Sequence, residues 1–187
     1  MTLLILGLIL WTAAHVFKRV APGARAALQE RMGDASKGIF AVLLVLSVVL
    51  MVMGYRDADT TFLWGRSAAT TGINNLAMLA AVALFGLGSS KSRLRARFRH
   101  PMLWGTVVWA LAHLLVNGDV PSIILFGGLL AWAVVAMIGT NRRDGPRGPK
   151  PEATMAGLVM HVVATAVVFV VVALLHLYVG GLNPLPG

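Results

Sequence analysis

Six apolar runs separated by short polar or basic stretches organise this chain: about Thr2–Phe17, Gly38–Tyr55, Asn74–Gly88, Pro101–Val116, Pro121–Gly139 and Met155–Val179. A helix that crosses a bilayer needs about 20 largely apolar residues, within a range of about 17–25. The third and fourth runs are short, so tilt or extension into polar flanks is expected there. All six are predicted to be helices, because a lone strand would leave its backbone groups unpaired in hydrocarbon. The expectation is therefore an all-α, polytopic transmembrane bundle of six spans, forming a single domain over residues 1–187. Gly86, Gly88, Gly127 and Gly128 are read as loop ends and points of close helix packing.

Charge turns this pattern into an orientation. Of the 16 lysines and arginines, 14 fall on alternate loops: Lys18 to Lys37, Lys91 to Arg99, and Arg142 to Lys150. Only Arg56 and Arg66 lie on the other side. Basic loops are retained in the cytoplasm, which predicts that both termini face the outer, periplasmic side. The first run has no basic residue before it and basic residues after it, as expected of an uncleaved first span. Asp144–Pro151 is expected to be a flexible inner loop.

Composition agrees with the pattern. Charged residues make up 12% of the 187 and hydrophobic residues 58%, against about 25% charged in ordinary soluble domains. The net charge of +9 does not point to nucleic acid, since the basic residues sit in short loops between spans. The chain has no cysteine, which excludes disulfides, iron–sulfur clusters, thiolate-ligated haem and cysteine nucleophiles. It also holds no serine–histidine–acid set, phosphate-binding glycine loop or intramembrane carboxylate pair. Asp57 and Asp59 read as solvated charges, and Asn74 and Asn75 as helix caps.

The candidate chemistry lies with five histidines. Polar groups within hydrocarbon must be partnered or neutral, so they are costly and often functional. His15, His100 and His161 fall towards the inner side, and His113 and His176 towards the outer side. His100 and His113 are separated by roughly 20 Å along one helix and by roughly 220° in azimuth, so they are not expected to share one metal. His176, near its helix end, reads as interfacial. A cofactor site in a bundle draws its ligands from facing helices. Trp109 and Asn117 share the face of His113 at i−4 and i+4, so Trp109 is placed to line a flat cofactor. Asn117 or Asp119 is placed to orient the imidazole through its second nitrogen. Arg99 and His100 precede Pro101 at a helix start, a place that attracts anions such as a haem propionate or a lipid phosphate.

These residues resemble a known family. The features are Trp11 and His15, the basic stretch with Arg31 and Gly33, the segment Arg99-His100-Pro101-Met102-Leu103-Trp104-Gly105, then Ala112-His113-Leu114-Leu115 and Asn117-Gly118-Asp119. In them the chain is similar to the NnrU family over essentially its whole length. That resemblance implies a multi-pass protein of the bacterial inner membrane, associated with denitrification and linked to nitric oxide and nitrite reductase function. The family is in turn similar to plant 15-cis-zeta-carotene isomerase, which implies haem b held by two axial histidines. These correspond to His15 and His113, with His100 in support. His161 is the alternative partner on grounds of depth. The RHPxxxG segment is also similar to isoprenylcysteine carboxyl methyltransferases, where the arginine and histidine help hold the methyl donor. This chain lacks their later acidic region, offering only Asp144.

The leading expectation is a haem b protein with His15 and His113 as metal ligands and with Arg99, His100, Trp109 and Asn117 around the cofactor. Its role would be redox, sensing or isomerase-like. The alternatives are a two-haem electron carrier with inner and outer histidine layers, an S-adenosylmethionine-dependent methyltransferase, and a cofactor-free assembly factor. The expected partners are the lipid bilayer, haem and a respiratory or nitric oxide reductase complex, with no nucleic acid.

Overall fold

The computed structural model describes residues 1–146 and 153–179, and every structural statement below refers to these residues. Seven helices account for most of them: α1 (Thr2–Val20), α2 (Pro22–Met32), α3 (Ala35–Arg56), α4 (Ala68–Leu87), α5 (Pro101–Val116), α6 (Val120–Asp144) and α7 (Met155–Val179). Two short strands, β1 (Phe62–Trp64) and β2 (Gly118–Asp119), and a 3₁₀ turn at Arg93–Ala96 complete the order. Five helices, α1, α3, α4, α6 and α7, are long and apolar enough to cross a membrane, and α5 is a shorter apolar helix of 16 residues.

Three details differ from the sequence reading. The basic stretch after the first run is itself helical. Proline in its first turn and Gly33 at φ 55° bound α2, and Ala, Leu, Gln and Glu are good helix formers. Its weak apolar periodicity hid it. Secondly, α4 begins at Ala68, not near Asn74, so it reaches 20 residues. Ser67 is its cap: the hydroxyl accepts from the Thr70 amide while the Thr70 hydroxyl accepts from the Ser67 amide. Asn74 and Asn75 therefore sit inside the helix, where the Asn74 side-chain amide donates to Asn75 Oδ1. Thirdly, Asp144 belongs to α6; residues 147–151 of the expected inner loop lie outside the described residues.

The chain forms two compact units. The first comprises residues 1–61 and 119–128. There α1 packs closely on α3. A Cβ at Gly7 would stand 2.6 Å from Met51 Cγ and 2.7 Å from the Ser47 carbonyl oxygen, and one at Gly54 would overlap the backbone of Leu3 and Leu4. The small residues let two backbones approach, which gives van der Waals contact where lipid removes the hydrophobic drive. Arg25 of α2 lies 5.1 Å from the centre of the Phe40 ring and donates to Ser36 Oγ at 3.1 Å. Tyr55 joins α3 to the start of α6 through Ser122 Oγ at 2.8 Å, and Ser122 donates in turn to buried Asp119.

The second unit comprises residues 62–118 and 129–187. Its centre is α4, against which α5 and α7 both pack. At Gly105 of α5 the ring of Phe85 fills the space that a Cβ would occupy, 2.9 Å away. In this unit β1 lies beside Gly118, whose missing side chain is replaced by the Trp64 indole. Trp64 also donates its indole N–H to the Leu114 carbonyl at 3.0 Å, closing the end of α5. Long rows of exposed apolar side chains on α3 and α7, such as Val42, Val45, Val159, Val163 and Val170, suit contact with lipid.

Two outcomes are expected. Replacing Gly54→Leu forces the α1–α3 crossing apart and costs at least about 1–3 kcal/mol, read as a lowered melting temperature in detergent. The cysteine-free sequence permits single-cysteine scanning. A membrane-impermeant maleimide applied to spheroplasts should label Asp59→Cys but not Arg31→Cys, Arg97→Cys or Arg142→Cys. The opposite labelling would reverse the orientation read from the basic loops.

Candidate functional site

A tryptophan and a histidine four residues apart occur twice, and the two copies adopt the same local geometry. In α1 the His15 Nδ1–H donates to the Trp11 carbonyl at 2.9 Å, and the two rings lie 4.3 Å apart, centre to centre. In α5 the His113 Nδ1–H donates to the Trp109 carbonyl, also at 2.9 Å, with ring centres 5.0 Å apart. A carbonyl only accepts, so in each pair the proton sits on Nδ1 and the lone pair of the neutral imidazole on Nε2. This is the tautomer that metal-ligating histidines use: one nitrogen donates to a carbonyl and the other carries the lone pair. His15 belongs to the first unit and His113 to the second.

His176 repeats the device without a tryptophan, donating Nδ1–H to the Val172 carbonyl at 2.8 Å. Its ring centre lies 6.4 Å from that of His113, with the planes inclined at 41°. Read from sequence as interfacial, His176 is thus a neighbour of His113 within one unit. No sequence spacing signals this contact, because it depends on how α5 and α7 lie around α4.

The remaining candidates have partners of their own. Asn117 does not orient the His113 ring; its amide donates to the His113 backbone carbonyl at 2.9 Å, in the last turn of α5. The carbonyl of Trp109 supplies the orientation that the sequence reading sought from Asn117 or Asp119. Asp119 accepts from the backbone amide and hydroxyl of Ser122, each at 2.8 Å, and so begins α6. Arg99 and His100 grip the far end of the same helix. Arg99 Nη1 donates to the Gly145 carbonyl at 2.7 Å, and His100 Nε2 donates to Asn141 Oδ1 at 2.9 Å. Gly145 has a positive φ of 62°, which turns the chain after α6, and Arg99 satisfies its carbonyl. Proline occupies the first position of α5, directly after these two residues.

A cavity of about 690 Å³ opens in the second unit between α4 and α7. His161, Trp109 and His176 are among its lining residues, together with Phe85 and Met160. His161 and His176 stand 15 residues apart on α7, about 22 Å at 1.5 Å per residue. His161 therefore does not join the His113–His176 pair. It rests on Gly86 of α4, where a Cβ would stand 3.4 Å from its Cε1. Gly88 and Gly128 also sit at close contacts, with Met102 and Leu8 respectively, whereas Gly127 has open space around it. Among the described residues no group of three or more histidine, aspartate or glutamate side chains is gathered to hold a bare metal ion. A cofactor that brings its own equatorial ligands requires only one or two imidazoles.

Long apolar helices with histidines set inside them define a multi-pass membrane protein. The chain belongs to the NnrU family, whose model, described as NnrU protein, matches residues 3–184. The match runs through both units. No curated protein and no solved structure matches the chain.

The grip on α6 is testable by a double-mutant cycle. His100→Ala and Asn141→Ala should each lower stability, with a coupling of about 0.5–1.5 kcal/mol. Additive losses would show that the contact contributes no pairwise energy.

Proposed function

We propose that this NnrU-family membrane protein binds haem b, and that His113 would be one of the imidazoles that hold it. The observation that carries the proposal is the repeated Trp-x₃-His turn, with Nδ1 tied to the helix carbonyl and the lone pair on Nε2 in both copies. A chain without cysteine, with imidazoles inside apolar helices, has the donor set that haem b uses. On the resemblance to 15-cis-zeta-carotene isomerase read in the sequence, His15 would be the second ligand.

A second reading gives that place to His176. The His113 and His176 ring centres lie 6.4 Å apart, and Trp109 and His176 line the adjoining cavity, so these two imidazoles would hold the group together. Haem b held there would supply one-electron transfer or the binding of a small ligand such as nitric oxide. The chain's own residues fix the imidazole tautomers through backbone carbonyls, set indoles beside His15 and His113, and exclude water with apolar side chains. A redox or sensing role linked to denitrification, the role that the sequence resemblance implies, belongs to the same proposal. Attachment to a reductase complex is part of the same proposal.

Purified protein from haem-supplied cells should show a Soret band, a reduced-minus-oxidised b-type spectrum and one haem per chain. His113→Ala should lower haem affinity by at least about tenfold. Of His15→Ala and His176→Ala, the variant that converts a six-coordinate spectrum to a five-coordinate one identifies the second ligand. Absence of a Soret band despite adequate haem supply would overturn the proposal and leave the assembly-factor reading.

A further inference from the structure

We propose that the groove between α4 and α7 binds a long-chain amphiphile by an anionic oxygen head group, carboxylate or phosphate, at Lys91, Ser89, Ser90 and His161. The groove is asymmetric along its length. Ser89, Ser90 and Lys91, which follow α4, meet the first turns of α7 at Gly157 and His161. Beyond them the walls are apolar, with Met78, Val82, Val168 and Val172, up to Trp109 and His176. From Gly157 to His176 is 19 residues of helix, about 28 Å, the length of an extended lipid chain and not of a compact solute. The volume of about 690 Å³ falls within the range of about 300–1,000 Å³ typical of ligand sites.

His161 shows that the polar end is built to receive something. It is only 6% exposed, lines the groove, and its ring makes no hydrogen bond to another described residue. A buried imidazole without a partner is costly unless a ligand or water supplies one. Its position is fixed from both sides. Gly86 gives it room on α4, and the Thr165 hydroxyl donates to its backbone carbonyl at 2.8 Å on α7. The strand-like bridge between Ser92 and Thr154, and the Thr154 amide donating to the Lys91 carbonyl at 2.9 Å, hold the lysine backbone against α7. One cation, two hydroxyls and an imidazole N–H around one mouth complement an anionic oxygen group, not a neutral or cationic one. On the orientation given by the basic loops, this mouth opens at the inner leaflet. The proposal uses neither His15 nor His113, whereas haem held by His113 and His176 would share the far end of this groove at Trp109 and His176.

The test uses the full chain in phosphatidylcholine nanodiscs and reads quenching of tryptophan fluorescence. The probes are stearate brominated at mid-chain, its methyl ester, and phosphatidylglycerol carrying brominated chains. The expected result is saturable quenching by stearate or by phosphatidylglycerol, at concentrations at least about tenfold below those of the ester. That response should be lost in Trp109→Phe, because Trp109 lines the far part of the groove. Whether the carboxylate or the phosphate probe acts at lower concentration identifies the source of the head group. Lys91→Gln should weaken binding about two- to fivefold, as befits a partly exposed charge. Adding His161→Leu should bring the loss to at least about tenfold. Ala164→Phe, a substitution on the lining that leaves every polar group in place, should abolish saturable quenching by filling the groove. Equal quenching by acid and ester, or binding unchanged in the Lys91→Gln/His161→Leu variant, would overturn the proposal and leave an unselective lipid-filled surface.

Discussion

Hydrocarbon offers no hydrogen-bond partner, and that constraint governs most of the histidines and hydroxyls placed inside these helices. The same answer recurs: the side chain turns back on its own helix and donates to a carbonyl one turn earlier. His15, His113 and His176 do so through Nδ1, and Thr106, Thr165 and Ser47 through a hydroxyl. For a hydroxyl the bond ends there. For imidazole it has a chemical by-product, because fixing the proton on one nitrogen leaves an aimed electron pair on the other. A device that makes a histidine tolerable in lipid also fixes which of its nitrogens could serve as a ligand.

Backbone approach is the second constraint. In the first unit, glycine at positions 7 and 54 brings α1 onto α3. In the second, Gly105 admits Phe85, Gly118 admits Trp64 and Gly86 admits His161. Helices that meet this closely leave little freedom in azimuth, so the side chains they carry are held in register. The Arg99-His100-Pro101 segment adds polar fixation at the end of α6, where Gly145 and Asn141 accept its two donors.

Much of this was legible in the residues. The six apolar runs correspond to α1, α3, α4, α5, α6 and α7, because hydrophobicity sustained over a bilayer's thickness is a strong local signal. The helix α2 was not legible, since its eleven residues carry no apolar face and rely on intrinsic propensity. The start of α4 was misplaced because Ser67 and Thr70 announce it more quietly than the two asparagines that follow. At the site, the i−4 relation of Trp109 to His113 was visible, and its recurrence at Trp11 and His15 was there to be seen. Asn117 was assigned to the wrong atom of the right residue: it serves the carbonyl of His113, not the ring. The approach of His176 to His113 arises from helix packing, so no local pattern announced it.

The Trp-x₃-His turn carries a broader implication. Each imidazole takes part of its orientation from its own helix, through the carbonyl one turn earlier. Such a turn is modular: moved intact into another apolar helix, it would deliver an aimed nitrogen there as well. Two such helices brought side by side would each carry one nitrogen already set by its own backbone.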